Sequence, residues 1–319
     1  VAPASVTNNS DGSTTYIYNV NGYQNIINTP PKDFNPLNAS DSDLVKFGYP
    51  PRPTDSSQLQ QWKSFVLNRK ITALSTIDTL NKRNSLNVNT YPVTPPSGYD
   101  TASDNWSGWL ATSSYNEWDQ VNGHFIAPTY HSTPCSPSDV SSWVGLGGDG
   151  NVGLIQDGVS MESGYNPIPW YEWVGPNNTG VAEQEMPGVT VHQGDSMEAY
   201  VEPGSTSGSW IFGLVDFTTN TSNAVTVTNI GSYYNGTTAE FIDERPEVNN
   251  QYSALLNYSS DTWTSANVHD IYGYWNPVGN SALNPENMIM MDPSNNAMSA
   301  PSSLNSSGNG FTEYWHSCS

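Results

Sequence analysis

SSWVGLGGDGNVGLIQDGV, residues 141–159, decides the fold. It holds two short apolar runs, SSWVGLGG (141–148) and VGLIQDGV (152–159), split by turn residues around Asp149 and Gly150. Runs of this length between turn residues read as β-strands. The same texture continues in both directions, in VNGHFIA (121–127), GVTV (188–191), SMEAYVEP (196–203), SWIFGLVDF (209–217), AVTVTNI (224–230) and TAEFIDE (238–244). No long helical period interrupts them. Strands at this density predict an all-β fold, an antiparallel β-sandwich or jelly roll.

The front of the chain reads differently. Residues 1–30 are polar with one β-like run, TTYIYNV (14–20). Pro30, Pro31, Pro36, Pro50, Pro51 and Pro53 predict an extended segment with turns. A helix is then predicted over 55–83, capped by Asp55 with Gln58 three residues on. Leu59, Trp62, Val66, Leu67, Ile71 and Leu74 form its apolar stripe. A polar linker follows over 84–104. The predicted organisation is a small N-terminal extension with one helix (1–100) and a sandwich domain (101–319). The extension lacks a core of its own and must pack on the rest.

Charge sharpens this division. The 319 residues carry 9 Lys+Arg and 30 Asp+Glu, a formal charge of -21. Charged residues are 12%, about half of the roughly 25% usual in soluble domains. What is missing is base. Phosphate backbones and anionic lipid would repel such a chain, so neither nucleic acid nor membrane is an expected partner. No run of 18 apolar residues suggests a transmembrane helix. Eight of the nine bases precede residue 84, and Arg245 alone follows. Residues 1–83 carry 8 bases and 6 acids, net +2; residues 84–319 carry 1 base and 24 acids, net -23. A domain nearly free of Lys and Arg escapes the positive self-repulsion that drives acid unfolding. This points to work at low pH.

VAPAS at the start reads as a chain whose leader has been removed, so secretion is expected. Cys135 and Cys318 are then expected to pair, although two free thiols would fit the sequence too. Asn-x-Ser/Thr sites begin at Asn8, Asn38, Asn105, Asn177, Asn220, Asn235, Asn257 and Asn305 and permit glycosylation.

Several chemistries lack their residues. There is no Gly-x-Ser-x-Gly elbow, since GSTSG (204–208) has Thr at its centre. There is no zinc framework of His and Cys, no Walker loop, and no pair of Asp-Thr/Ser-Gly turns. Carboxylates, an amide and aromatics remain. In TAEFIDERP (238–246), strand alternation puts Glu240, Ile242 and Glu244 on one face and Ala239, Phe241 and Asp243 on the other. Gln156 lies in an apolar strand, where its amide must find partners. Trp143 and Trp170 serve either as core or as cleft walls.

NWSGW (105–109), SSWVGLGGDG (141–150), LIQDGV (154–159), WYEW (170–173) and AEFIDERP (239–246) occur in the order and approximate spacing of the glutamic peptidases, the eqolisin family. The corresponding family segments read like NWGG, AWVGIDGD, ILQTGV, WYEW and AEWIVE. The resemblance runs from about 105 to 246, and weakly to GFTEYW (310–315). It implies a concanavalin-like or jelly-roll-like sandwich of two curved sheets. By it, the catalytic Gln falls on Gln156 and the catalytic Glu on Glu240. Trp143, Asp149, Trp170 and Glu172 match residues beside the cleft. Gly147 stands where the family has Asp.

The resemblance implies a secreted acid endopeptidase in which Glu240 activates water and the Gln156 amide stabilises the oxyanion. No metal or cofactor is expected. The expected partners are protein or peptide substrates, with a basic front segment docked in cis on the acidic domain. A monomer is expected. The alternatives are a β-sandwich glycosidase or carbohydrate-binding protein, and a non-catalytic surface protein. Against the glycosidase, Asp243 lies on the wrong face for an alternating acid set.

Overall fold

The computed structural model describes residues 1–74, 76–80, 83–84, 94–113, 117–132, 134–150, 153–175, 179–231, 234 and 236–319. The N-terminal part begins with strands β1 (Ser5–Asn8), β2 (Thr14–Val20) and β3 (Tyr23–Thr29). β2 and β3 form a hairpin in which Val20 opposes Tyr23. The turn is Asn21-Gly22, with φ of 50° and 88°, the positive-φ pair that two-residue hairpins favour. Two helices follow, α1 (Asp41–Lys46) and α2 (Leu59–Asn68).

Both helices depart from the sequence prediction. α1 sits in the proline-rich stretch read as extended, and Ser40 caps it by accepting from the Asp43 N–H at 3.1 Å. The helix read as 55–83 ends at Asn68, after a short 3-10 turn at Ser56–Gln58 that Asp55 caps. The reason is tertiary. Arg69 turns inward, donating to the carbonyls of Phe47 (2.7 Å) and Ser222 (2.8 Å), and its guanidinium stacks over Tyr49. Lys70 then bonds to the Asn220 carbonyl, and the chain continues extended. Ile71, read as part of the helix stripe, is half exposed.

The sandwich is built in chain order from β4 (Thr101–Ser103), β5 (Trp106–Thr112), β6 (Trp118–Ile126), β7 (Ser138–Gly147) and β8 (Leu154–Glu162). β9 (Ile168–Gly175), β10 (Ser196–Pro203), β11 (Trp210–Asp216), β12 (Thr221–Val227) and β13 (Thr238–Glu244) come next. β14 (Ser260–Asp270), β15 (Pro285–Met291), β16 (Ala297–Pro301) and β17 (Phe311–Trp315) complete it. β4 pairs in parallel with β15, so the end of the predicted linker is a sheet strand.

One layer runs β15–β5–β13–β7–β8–β9, all antiparallel, and ends at the short strand Gln184–Glu185. The other runs β14–β6–β10–β11–β12–β3–β2–β1. β16 and β17 join the layers at one side, between β15 and β14. Alternation along the strands fills the space between layers with Val121, Phe125, Val144, Ile155, Tyr171, Val201, Phe212, Leu214 and Phe241.

The front segment covers both outer faces. On the second layer, Trp62, Phe65 and Val66 of α2 pack with Tyr200 and Val215. On the first, Thr79 bridges antiparallel to Gln184, and Leu80 donates to the Glu183 carbonyl at 2.8 Å. Cys135 and Cys318 are joined in a disulfide. Asn105 is fully buried, which closes that sequon to glycosylation in the folded chain. The sequon asparagines Asn177 and Asn235 lie outside the described residues.

Candidate active site

Strand register brings the candidate residues into one row. Glu240 of β13 is the Cα partner of Gly145 on β7, Gly145 that of Gln156 on β8, and Gln156 that of Glu172 on β9. All four residues belong to the outer face of the first layer. With strands about 4.8 Å apart, the backbones of Glu240 and Gln156 stand about 10 Å from one another. The residue between them is glycine. A Cβ at 145 would lie 2.8 Å from the Trp143 ring, 3.0 Å from Leu154 and 3.2 Å from Gln156 Cβ. The absent side chain keeps open the space between carboxyl and amide. In the sequence Gly145 is marked only as a glycine inside a strand pattern, and its place between the two candidates emerges from the register.

Two side chains of the site, Gln156 and Trp143, are oriented by a neighbouring carboxylate. The Gln156 amide donates to Glu172 Oε2 at 3.0 Å, which uses one of its two N–H bonds and fixes its plane. Trp143 donates its indole N–H to Glu244 Oε2 at 2.9 Å and meets Trp106 edge-on at 4.8 Å. Trp106, Leu110, Trp143, Leu154, Trp170, Val174, Ile242 and Met288 form the apolar floor around the row. Trp143 and Trp170 are therefore neither inter-sheet core nor open walls; they are a covered floor. Asp149 follows β7 and is half-buried; burial raises its carboxyl above the usual range. The structure thus brings Trp143, Gln156, Trp170, Glu172 and Glu240 to one face, with Asp149 near Glu240.

Glu240 is wholly shielded from solvent. Burial pushes its carboxyl well above the usual range, and the nearby charge of Asp149 adds to the effect. Part of the cover is the front segment, because Leu80 packs on the tryptophan floor. Ile77 is fully buried, and its N–H bonds to the Val1 carbonyl at 2.9 Å. Beyond the floor, Arg83–Asn84 pairs with Glu247–Val248, just past the end of β13. Described parts of the front segment thus lie at the Gln184 edge and beside β13, on opposite sides of the candidate row.

The outer face of the sandwich thus presents a carboxyl and an oriented amide across a gap, over tryptophans, the residue types that hydrolysis by an acid and an amide requires. Residues 104–311 match the model of the Peptidase A4 family. The chain belongs to that family, the eqolisins or glutamic peptidases, and is a glutamic endopeptidase. Among solved structures it is similar to scytalido-glutamic peptidase with a transition state analog inhibitor, with TM-score 0.55 and 21% identity, over 67% of this chain and 98% of that one. It is also similar to SCP-B, an eqolisin in complex with the tripeptide Ala-Ile-His, with TM-score 0.51 and 18% identity, over 67% and 98%. At these identities the structural likeness establishes the fold. Comparison with curated proteins gave no match.

Proposed function

We propose that the chain hydrolyses peptide bonds in acid through Glu240 and Gln156, and that residues 1–100 are a prosegment held over the site until processing. The observation that carries this reading is the row Glu240–Gly145–Gln156–Glu172, with its gap at the glycine. Ionised Glu240 takes a proton from a water lodged in the gap, and that water attacks the scissile carbonyl. The Gln156 amide, held by Glu172, donates to the developing oxyanion. Glu240 then passes its proton to the leaving amine.

The covered form is inert for a physical reason. Burial holds the Glu240 carboxyl protonated, and a protonated acid accepts nothing from water. Removing the cover rehydrates the carboxyl and returns its pKa toward the acid range in which it can serve as a base. The net charge of +2 on residues 1–83 against -23 on the remainder favours docking, and protonation of carboxylates weakens it. Release outside the cell into an acidic medium fits this cycle.

The test is digestion of denatured protein at pH 2–5, with a pepstatin-type inhibitor as control, combined with N-terminal sequencing after acid incubation. Gln156→Ala and Glu240→Gln should each lower the rate by about 100-fold or more with the fold intact. A new terminus between about 84 and 105 should appear in the parent and not in Glu240→Gln. Near-parental activity of Glu240→Gln would refute the assignment.

A further inference from the structure

A cavity of about 760 Å³, bounded by described residues, lies away from Glu240. It lies between the helical unit and the outer face of the second layer. Outward residues of β6 and β10 wall it, among them Asn122, His124, Glu198 and Glu202. Polar groups under a docked unit are costly unless paired. Here Asn122 donates to Glu198 Oε1 at 2.6 Å, and His124 Nε2 lies 3.5 Å from Glu198 Oε2. The catalytic reading uses none of these groups.

His124 also touches the anchor of the helical unit. Its ring stacks on Phe217 at 5.7 Å, and Phe217 meets Phe65 of α2 edge-on at 5.3 Å. The imidazole is thus one aromatic ring removed from a main anchoring side chain of the helix. The other ionisable groups lining the cavity are Glu202 from β10 and Asp41, Lys46 and Arg52 from the helical unit. Asp41 is paired with Arg52 at 2.7 Å.

We infer that the His124–Glu198 pair is the acid trigger that loosens the helical unit from the sandwich. The inference rests on the reading of residues 1–100 as a cover for the catalytic row. The two groups titrate as one unit, neutral as a whole in the middle of the pH range. Burial pushes the imidazole down to about 4 and the carboxyl up to about 8. Acid therefore adds one proton and leaves a buried positive charge across the cavity from Lys46 and Arg52. Glu202, pushed up to about 7 mainly by burial, is already neutral there and offers no counter-charge. An uncompensated charge away from bulk water is unfavourable, and parting α2 from β6 hydrates it.

The experiment uses the full chain carrying Glu240→Gln, so that release does not depend on catalysis. Spin labels at Leu67→Cys on α2 and Tyr272→Cys on the sandwich, both exposed positions, report the distance between the two parts. The distance should lengthen as pH falls, with a midpoint near 4. His124→Gln keeps a hydrogen-bonding side chain beside Glu198 but cannot take the proton; its midpoint should fall by at least one pH unit. Near-UV circular dichroism confirms the sandwich in each protein, and His124→Asn replaces the glutamine variant should that one not fold. Equal midpoints with and without His124 overturn the trigger and leave the cover reading standing. No opening down to pH 2 overturns the trigger and acid release together. Proteolysis by the wild-type chain reports on catalysis separately.

Discussion

At the scale of single residues, the site depends as much on what is missing as on what is present. Gly145 separates Glu240 from Gln156, and a methyl group there meets Trp143 and Leu154 at 3.0 Å or less. Gly145→Ala should therefore lower kcat at least tenfold. It should also cost about 1–3 kcal/mol of stability, the usual penalty for overpacking. Steady-state kinetics and a thermal melt check the two parts; unchanged kcat would show that the gap is not needed. Gln156 and Glu240 stand out in the sequence as candidates because their flanking motifs keep a recognisable order, and strand register brings them to one face. Gly145 does not stand out, since WVGLGG reads simply as a strand. His124 and Glu198 were silent for another reason. They meet only through the pairing of β6 with β10, and no local spacing records that contact.

At the scale of elements, helix α2 shows where local pattern yields to tertiary structure. Its apolar spacing continues past residue 68, yet capture of Arg69 by the Phe47 and Ser222 carbonyls ends it. Those partners lie 22 and 153 residues away, beyond the reach of any periodicity. The hairpin β2–β3 was half legible. TTYIYNV reads as a strand from its β-branched and aromatic residues, whereas the polar strand after Asn21-Gly22 carries little local signal and is defined by its pairing. The strands from 106 onward were legible in kind because alternation between two packed layers is a local property. Attachment of α2 should depend on Phe65, whose loss removes a large buried side chain worth about 3–5 kcal/mol. In the Glu240→Gln background, Phe65→Ala should make α2 cleavable by an added protease at pH 6 and leave the sandwich resistant. Equal protection of α2 in both proteins would contradict the packing role.

At the scale of the whole molecule, the acid character suggested by the missing bases has a second source in the interior. Asp243, Asp261 and Glu313 sit together, fully shielded, with hydroxyls of Ser142 on Asp261 (3.0 Å) and of Ser107 (2.7 Å) and Ser299 (3.0 Å) on Glu313. Burial raises all three carboxyls, Asp261 to about 7 and Glu313 to about 8. Glu198 and Glu202 are raised likewise. In the unfolded chain these groups titrate near 4. Between that pH and about 8 the folded state holds more protons, so their contribution is full at about pH 4 and is lost as pH rises. His124, depressed by burial, acts in the opposite sense, one imidazole against several carboxyls. The melting temperature should therefore fall steadily from pH 4 to 8, and Asp243→Asn should lessen the fall. A melting temperature that rises over this range would exclude the interior acids as the cause. The disulfide has a consequence of another kind. An endopeptidase at high concentration is food for its own kind, and its loops are the first places bitten. Gln156 and Glu240 both lie between Cys135 and Cys318, whose bond spans 183 residues. One cut anywhere in that span leaves the two fragments covalently joined, so a nick between the proposed acid and amide does not set them adrift.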